Sequence, residues 1–523
     1  MHRILISDPL EASGVESLRA SGAEVIVLED RDELPRLVAD CDALIVRSGT
    51  QVTAELLEAG KKLKVVGRAG VGVDNVDIAR ATELGILVVN APTANLLSAT
   101  EHTFALLLAV VRKVPSADAK LKEKVWDRKG FVGQELYGKT LGIVGLGQIG
   151  QRVAARAKAF EMRVLAYDPF LDESMAQRIG VEMRALDDML GEVDAITFHT
   201  PLTDQTRNLL DADRIARLKP GAIVINCGRG GVLDEAALLA GLESGHVGGA
   251  GLDVFSKEPP VDFDLVRHPR VVATPHIGAQ TREAQQRVAA QITEMVLAAL
   301  DGSFSVSAVN LPFRPASGPS EPFLQLAEQL GRLATSLRPG RIKELKIDVW
   351  GIDEDLRTPI TVAALKGALV PYLGEAVNYV NAEKIASDRG IEVVRAVHSR
   401  SSDYAHLIGV TLSGDDGDVD VAGTVYGKAD PRVVRLWGFR LEFRPQGRLM
   451  VLRNQDVPGV VGRLGTTLGE GAVNIADIHL ARENSSQEAM AVLRLDAEPS
   501  AEVLAAIQGL PEVKETHVFD LGG

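Results

Sequence analysis

Basic residues, cysteines and long apolar runs are all scarce in this chain. Lysine and arginine total 57 against 71 aspartate and glutamate, a formal net charge of −14, which argues against the basic stripe of a nucleic-acid-binding surface. Cys41 and Cys227 are too few for a disulfide framework and favour a reducing compartment. The longest apolar runs, such as 104–111, are far shorter than the ~20 residues that span a bilayer. The N-terminus, Met-His-Arg-Ile-Leu-Ile-Ser-Asp, predicts a buried strand and no signal peptide, so we expect a cytoplasmic protein.

The pattern of the N-terminal part predicts two α/β units. A length of 523 residues is too great for one core and predicts about three or four domains. In the first unit, apolar runs alternate with helical stretches, which indicates a parallel sheet; the runs lie at 3–8, 24–28, 43–46, 64–67 and 86–89. The second unit, from Lys139, is typical of a doubly wound sheet; its strands are predicted at 140–144, 163–167, 195–199, 222–226, 248–252 and 271–274. The stretch 99–112 is apolar on almost every face and predicts a helix buried between domains.

Proline and glycine cluster at 311–322 and predict a linker to the C-terminal part. An α+β region follows, and from Gly447 the pattern becomes strand, helix, strand, strand, helix, strand, which is typical of a ferredoxin-like βαββαβ domain. We therefore expect four domains. Their predicted bounds are 1–94 together with 281–310, then 95–280, 311–443 and 444–523.

A glycine-rich turn lies between the first strand and the first helix of the second unit. Residues 145–150 read Gly-Leu-Gly-Gln-Ile-Gly, and Gly145, Gly147 and Gly150 would let backbone N–H groups approach a pyrophosphate at the helix N-terminus. Asp168 ends the next strand, where it would accept hydrogen bonds from ribose hydroxyls and repel a 2′-phosphate, which favours NAD over NADP. The alternative is an ordinary helix cap followed by a turn aspartate.

Arg229, Glu258 and His276 follow downstream in that order. Together they could oxidise a 2-hydroxy acid, because an arginine can grip a carboxylate with two donors and a histidine can take up a hydroxyl proton. A glutamate can orient that histidine and raise its basicity. Taken singly, the three could be a surface ion pair, a solvated loop carboxylate and a buried core histidine, but with the glycine turn upstream they favour catalysis.

Four motifs resemble the D-isomer-specific 2-hydroxyacid dehydrogenase family over residues 1–310. They lie at 145–150, 226–231, 251–259 and 274–279. The resemblance implies a Rossmann-type cofactor domain with a flavodoxin-like substrate domain, Arg229 as the carboxylate binder, and His276 with Glu258 as the acid/base dyad. It also implies a set of contacts to the nicotinamide cofactor. These are Gln148, Ile149, Asp168, Thr200, Cys227, Gly228, Arg229, Asp253, His276 and Gly278.

The first α/β unit supplies the expected substrate contacts. Arg47 and Ser48 end a predicted strand, and the backbone N–H groups of Val71 and Gly72, in a second glycine-rich loop, could bind a carboxylate. A plain strand–helix turn is the alternative for that loop. In phosphoglycerate dehydrogenases, a branch of the family, a matching Arg-Ser pair lies in the substrate pocket. We expect Asn95 to contact the substrate as well, and Arg128 or Lys129 of a partner subunit to help Arg47 neutralise a phosphate.

The C-terminal segment resembles an ACT domain, a module that binds amino acids between paired copies. Asp456 and Gly459 frame an Asp-Val-Pro-Gly turn that opens a helix, and the N–H groups of such a turn suit an amino-acid carboxylate. With Asn474 from the facing copy, they are the expected contacts to an effector, for which L-serine is the candidate. A helix cap followed by a structural turn is the alternative.

The order of dehydrogenase, intervening domain and ACT domain resembles the long-form phosphoglycerate dehydrogenases. This implies NAD-dependent oxidation of 3-phospho-D-glycerate to 3-phosphooxypyruvate, the first step of L-serine synthesis, and we expect no metal site. The apolar helix 99–112 and Trp126 suggest that the cofactor domains pair; with separate pairing of the ACT-like segment, two two-fold contacts predict a homotetramer. Two alternatives stay open. One is a dehydrogenase for another D-2-hydroxy acid, such as glycerate or 2-hydroxyglutarate, and the other is a ligand sensor that has kept the fold without the chemistry.

Overall fold

The computed structural model describes residues 1–302, 308–314, 320–399, 403–427, 429–482 and 487–522. The first sheet is parallel with the order β2-β1-β3-β4-β5, the flavodoxin-like arrangement. Its strands are β1 (Arg3–Ile6), β2 (Glu24–Val27), β3 (Ala43–Val46), β4 (Val65–Arg68) and β5 (Leu87–Asn90), and its helices are α1 (Ala12–Ala20), α2 (Leu34–Val38), α3 (Ala54–Ala59) and α4 (Ile78–Glu83). Every residue of β3 is buried, because helices cover both faces of a parallel sheet.

Two helices lead into the second sheet: α5 (Leu96–Arg112) and α6 (Val114–Lys122). The sheet is parallel with the order β12-β11-β10-β9-β6-β7-β8, as in a doubly wound dinucleotide-binding domain. Its strands are β6 (Thr140–Val144), β7 (Arg163–Tyr167), β8 (Glu182–Met183), β9 (Ala195–Phe198), β10 (Ala222–Asn226), β11 (Val247–Leu252) and β12 (Val271–Ala273). Its helices are α7 (Gln148–Ala159), α8 (Glu173–Arg178), α9 (Leu186–Leu190), α10 (Ala212–Arg217), α11 (Glu235–Glu243) and α12 (Asp264–Arg267). Helix α5, predicted at 99–112, packs across α7, β10 and β11.

The chain then returns to the first sheet through α13 (Arg282–Leu300), whose N-terminus is capped by the Thr281 hydroxyl. Helix α13 packs on β4 and β5. Beyond α13, Ala308 forms a single antiparallel bridge with Val89 at the edge of this sheet. Of the predicted linker, residues 315–319 lie outside the described residues.

The intervening region forms a mixed sheet with the order β14-β13-β15-β16-β17-β18. Its elements are α14 (Glu321–Leu337), β13 (Ile342–Trp350), α15 (Glu354–Leu373), α16 (Ala382–Asp388), β14 (Glu392–His398), β15 (Leu407–Gly414), β16 (Gly417–Tyr426), β17 (Asp430–Leu436) and β18 (Phe439–Phe443). Helices α14 and α15 can cross closely because Gly331 and Gly367 have no Cβ at the crossing point. A Cβ at Gly331 would overlap the Ala364 carbonyl, and a Cβ at Gly367 would overlap the Glu328 carbonyl. The sequence pattern did not predict α16 or β18.

The last region has the predicted βαββαβ order, in an antiparallel sheet with the order β20-β21-β19-β22. Its elements are β19 (Arg448–Gln455), α17 (Val460–Glu470), β20 (Ile475–Arg482), β21 (Glu488–Leu495), α18 (Ala501–Gln508) and β22 (Val513–Asp520). One face is covered by α17 and α18, while Leu449, Val451, Met490 and Val492 on the other face join the core of the intervening region. The α/β fold class with its additional C-terminal sheets is thus confirmed. Within the described residues, no helix is both long and apolar enough to cross a bilayer.

Candidate active site

His276 and Glu258 form a hydrogen-bonded pair beside the carboxyl ends of β11 and β12. His276 Nδ1 lies 2.6 Å from Glu258 Oε2, and the Phe255 N–H donates to the other carboxylate oxygen, Oε1, at 3.1 Å. The carboxylate is therefore held at both oxygens. Since Nδ1 faces Glu258, Nε2 is the ring nitrogen that can exchange a proton with a substrate.

The two side chains shift each other's pKa in opposite directions, so that Glu258 is a stronger acid and His276 a stronger base. The hydrogen bond to Glu258 raises the pKa of His276 above 6.5, because it outweighs the effect of burial. Burial alone would raise the pKa of Glu258, but the hydrogen bonds from His276 and Phe255 outweigh it and hold that pKa below 4.5. Glu258 therefore stays ionised and stabilises the positive charge that His276 gains on protonation.

A buried carboxylate, Asp253, holds the turn that presents His276. Asp253 is only 1% exposed and accepts hydrogen bonds from the N–H groups of Ile277 and Gly278, each at 2.8 Å, and from the Thr274 hydroxyl at 2.6 Å. His276 has a φ of 53°, and its N–H donates to the Asp253 carbonyl at 2.9 Å. Asp253 was expected to contact the cofactor; in the structure its carboxylate holds the backbone of the turn that carries His276.

The glycine turn has the shape that a dinucleotide requires. Gly145 has a φ of 90°, and a Cβ there would lie 2.7 Å from the His199 carbonyl oxygen. A Cβ at Gly150 would overlap the Gly145 carbonyl, so the helix can start this close to the turn only with glycine. Gly147 is the N-cap residue of α7, and no side chain caps the helix there. A Cβ at Gly147 would meet nothing within 4 Å. The N-terminus of α7 is therefore open to an anionic group.

Asp168 braces this turn from the end of β7. Its Oδ2 accepts from the Leu146 N–H and its Oδ1 from the Phe170 N–H, both at 2.9 Å. Each carboxylate oxygen can accept a second hydrogen bond. Asp168 can therefore hold the turn and bind ribose hydroxyls together, which the sequence pattern alone did not show.

Other expected cofactor residues line the same side of the cleft. Burial raises the pKa of the Cys227 thiol to about 12, so it stays neutral. The buried Thr200 Oγ1 has no hydrogen-bond partner within the described part of the chain. Gly228 is fixed by its N–H bond to the Asn226 side chain at 3.0 Å. A buried acceptor without a partner beside an open glycine turn fits a nicotinamide dinucleotide.

Arg229 crosses from the cofactor domain to the second glycine-rich loop of the substrate domain. Its guanidinium lies so close to Gly72 that a Cβ there would overlap it, and its Nε is 3.4 Å from Asp74 Oδ2. Val71 is held in that loop by the Asn90 side chain, which donates to its carbonyl at 2.6 Å. The structure thus brings Arg229, Val71 and Gly72 together, although they lie far apart in sequence.

Arg68 is a cation of this site that the sequence analysis missed. Burial lowers the pKa of Arg68 to about 10, and the nearby positive charges of Arg229 and Arg47 add to the effect, against the opposing charge of Asp74. The charges of Arg229 and Arg47 are thus close enough to act on Arg68, and a cluster of three arginines suits a substrate with more than one negative charge. The available signal was the position of Arg68 at the carboxyl end of β4.

The remaining expected substrate residues follow β3 and precede α5. The Arg47 N–H donates to the buried Asp8 carboxylate at 2.7 Å, while the exposed Ser48 follows it. Asn95 precedes α5, and its buried Oδ1 has no hydrogen-bond partner among the residues described. An unsatisfied buried acceptor here is consistent with a ligand contact.

The three expected effector residues do not meet within one chain. Asp456 follows β19 and pairs with Arg482 at 3.3 Å, and Gly459 begins α17 with a φ of 92°. Asn474 precedes β20 at the opposite end of the sheet, where it donates to Asp496 at 2.6 Å. A site that uses all three therefore requires a second copy of the chain.

Comparisons with known proteins match both halves of the chain. Residues 104–278 match the D-isomer specific 2-hydroxyacid dehydrogenase NAD-binding domain, and residues 320–437 match the D-3-phosphoglycerate dehydrogenase intervening domain. The chain is 42% identical over 524 residues to D-3-phosphoglycerate dehydrogenase of Bacillus subtilis and 40% identical over 526 residues to that of Methanocaldococcus jannaschii, with 100% of each chain covered. Among solved structures, D-lactate dehydrogenase from Aquifex aeolicus complexed with NAD and lactic acid is 29% identical with a TM-score of 0.52, over 58% of this chain and 96% of that chain.

Proposed function

The chain belongs to the D-3-phosphoglycerate dehydrogenases of the D-isomer-specific 2-hydroxyacid dehydrogenase family, and we propose that it oxidises 3-phospho-D-glycerate to 3-phosphooxypyruvate with NAD, the first step of L-serine biosynthesis. The observation that carries this proposal is the meeting of Arg229 with the Gly72 loop beside the His276–Glu258 pair. This arrangement supports the proposal that Arg229 binds the substrate carboxylate next to a base, His276.

The protein groups divide the reaction between carboxylate binding and proton transfer. Arg229 and the N–H groups of Val71 and Gly72 hold the substrate carboxylate. His276 Nε2 accepts the proton of the C2 hydroxyl as the carbonyl forms, and Glu258 stabilises the resulting imidazolium. NAD supplies the acceptor for the hydride that leaves C2.

The groups that would hold NAD lie along the second sheet. The open turn at Gly147 suits the pyrophosphate, and Asp168 suits the adenosine ribose. Thr200, which lies beside Gly145, offers a buried hydroxyl without a partner in the described residues. The carboxylate of Asp168 disfavours a 2′-phosphate, in agreement with NAD as the cofactor.

The phosphate of the substrate accounts for the excess of positive charge. Arg47 and Arg68 lie on the substrate-domain side of the cleft, and Arg128 or Lys129 of the partner subunit would complete the phosphate site. A substrate without a phosphate does not need these cations. This favours 3-phosphoglycerate over glycerate, which has a single negative charge, whereas 2-hydroxyglutarate carries a second carboxylate and has to be compared directly by NADH absorbance.

Two variants test the assignment by NADH absorbance. Without its base, His276→Ala should lower kcat on the order of 10²–10⁴-fold while NADH binding is largely kept. Arg47→Ala should raise the KM for 3-phosphoglycerate far more than that for glycerate, whereas Arg36→Ala, an exposed arginine paired with Glu33, serves as the control. Near-normal turnover by His276→Ala would exclude its role as the base, and a preference of the unmutated enzyme for glycerate would exclude the proposed substrate.

We also propose a homotetramer built from two kinds of two-fold contact. The arm that follows α6 exposes apolar side chains, with Trp126 at 79% and Val132 at 73%, and such surfaces favour pairing of the cofactor domains. The second contact would join the C-terminal sheets. Light scattering should give four chains, and a monomer at working concentration would contradict this assembly. The composition and the free thiols of Cys41 and Cys227 support a cytoplasmic enzyme.

The topology of the C-terminal sheet explains how a serine site could form. Strand β20 is an edge strand and exposes Leu480 at 56%. If two copies joined along β20 in antiparallel fashion, the Asn474 end of one strand would meet the Asp456 end of the other. The N–H groups at the Gly459 turn would then face the partner's Asn474 and could bind the serine carboxylate.

L-serine should therefore inhibit the enzyme through Asp456 and Asn474. A coupling of ~1–3 kcal/mol is typical for such regulation. Asn474→Ala and Asp456→Ala should weaken inhibition without changing the rate in the absence of serine, and Glu470→Gln, elsewhere on the same domain, is the control. Inhibition of unchanged strength in both variants would place the serine site elsewhere, and absence of serine binding to the unmutated enzyme would leave this domain without its proposed effector.

A further inference from the structure

The catalytic loop, defined here as residues 274–281, is fastened to α5 at both ends. At its far end the Thr281 hydroxyl lies 2.8 Å from the Ser98 hydroxyl. At its near end Thr274 Oγ1 lies 3.0 Å from His102 Nε2. Ser98 and His102 are four residues apart and therefore lie on one face of the helix. His276 lies between the two attachments.

The hydrogen bonds fix which nitrogen of His102 carries a proton. His102 Nε2 is also 3.2 Å from Asp253 Oδ1. An ionised carboxylate only accepts hydrogen bonds, and the Thr274 hydroxyl proton is directed to that same carboxylate oxygen at 2.6 Å. Neither neighbour has a proton for His102, so Nε2 is the donor to both.

Asp253 links His102 to the backbone next to His276. The N–H groups that Asp253 accepts belong to Ile277 and Gly278, the two residues directly after His276. His276 has a left-handed φ of 53°, a conformation that is unfavourable for a residue with a side chain and persists only where its surroundings hold it. A donor that completes the hydrogen bonding of Asp253 therefore helps to set the position of the imidazole.

We propose that His102 is a positioning residue for the His276–Glu258 dyad. By donating from Nε2 to Asp253 and Thr274, it holds the catalytic loop in a fixed position against α5. That helix begins directly after Asn95, an expected substrate contact, so one rigid element aligns the base with the substrate. The inference rests on the proposed dehydrogenase reaction.

A matched pair of variants at His102 separates donation from packing. In His102→Gln, the amide places an N–H at a similar reach, whereas His102→Leu keeps much of the volume and has no donor. His102→Leu should lower kcat on the order of 10²-fold, the effect expected when a reacting group is displaced by about 1 Å. His102→Gln should recover most of that loss, and NADH binding measured by fluorescence titration should change little in either variant.

The pH profile gives a readout that a purely structural role would not move. His276 must be neutral to accept the hydroxyl proton, so oxidation loses rate as the pH falls through the pKa of His276, which Glu258 raises. If loss of the donor loosens the dyad, the acid limb of kcat/KM in His102→Leu should move to lower pH. Glu101→Gln, an exposed neighbour on α5, should leave that limb in place.

Three outcomes would overturn the proposal: a rate for His102→Leu close to that of the unmutated enzyme, equal losses in the Leu and Gln variants, or an unmoved acid limb despite a lower rate. If the Leu variant does not fold, His102→Asn replaces it, because the asparagine amide is one methylene too short to reach Asp253. Equal rates for the Asn and Gln variants would then refute the positioning role of His102. The rate of the unmutated enzyme on 3-phosphoglycerate tests the proposed function separately, because the His102 test depends only on ratios between variants.

Discussion

Glu258→Gln removes the negative charge of the dyad. A glutamine keeps an oxygen that can accept from His276 Nδ1, which retains the ring orientation, but its NH2 group then replaces the oxygen that accepts from the Phe255 N–H. In the unmutated protein the hydrogen bond to Glu258 raises the pKa of His276, while burial lowers it. With the charge gone and the burial unchanged, the pKa of His276 falls.

The size of the effect follows from the kind of hydrogen bond that is lost. A bond to a charged group contributes about 1.5–3 kcal/mol and a neutral bond about 0.5–1.5 kcal/mol. His276 and Glu258 remain 50% and 37% exposed at their side chains, so water screens the pair and the lower end of the charged range applies. A difference of ~1 kcal/mol corresponds to a roughly fivefold loss of kcat in oxidation. Glu258→Ala also releases the ring and should lose considerably more.

The sign of the pH effect differs between the two directions of the reaction. Oxidation needs neutral His276, so the acid limb of its kcat/KM profile should move to lower pH in Glu258→Gln. Reduction of the keto acid needs protonated His276, so its rate at neutral pH should fall in the same variant. Initial rates from NADH absorbance on both sides of pH 6.5, the ordinary value for histidine, measure both effects.

The refuting results are equally specific. An acid limb that stays in place or moves to higher pH in Glu258→Gln would mean that the carboxylate does not tune His276. Equal rates for the Gln and Ala variants would mean that orientation of the ring contributes nothing. NADH binding that changes as much as kcat would point to damage outside the dyad.

Three further predictions concern the cofactor site and the assembly. Asp168→Ala should weaken NAD binding and reduce the preference of the enzyme for NAD over NADP, because the carboxylate both repels a 2′-phosphate and accepts from the Leu146 N–H. Equal use of NAD and NADP by the unmutated protein would contradict this. Gly150→Ala should lower the thermal midpoint of unfolding, since an added methyl that overlaps backbone costs about 1–3 kcal/mol. Gly147→Ala should fold normally and lose only NAD affinity. Calorimetry and NAD titration compare the two variants, and equal thermal midpoints would contradict the packing argument. Trp126→Ser should reduce the assembled mass by light scattering, and an unchanged mass would show that this arm is outside the interface.

Much of the fold followed from local patterns. Strands such as β6, β7 and β10 were predicted with their exact bounds, because a short apolar run between turn residues is buried wherever it lies in a parallel sheet. The α/β class, the family and NAD are confirmed, whereas the roles of individual site residues stay predictions. Strand β18 was missed because its alternating exposed and buried residues are few and lie directly after another strand.

The sequence by itself determined the chemistry available to this protein. The glycine turn, the aspartate that follows β7 and the arginine, glutamate and histidine motifs are local features, and each can be recognised from neighbours within a few residues. Tertiary structure decided which groups meet. Arg68 joins the site only because β4 and the Arg229 loop face each other across the cleft, and His102 reaches Asp253 only because α5 crosses the second sheet. No local pattern encodes such contacts, because sheet order and helix packing set the distances between segments that are remote in the chain.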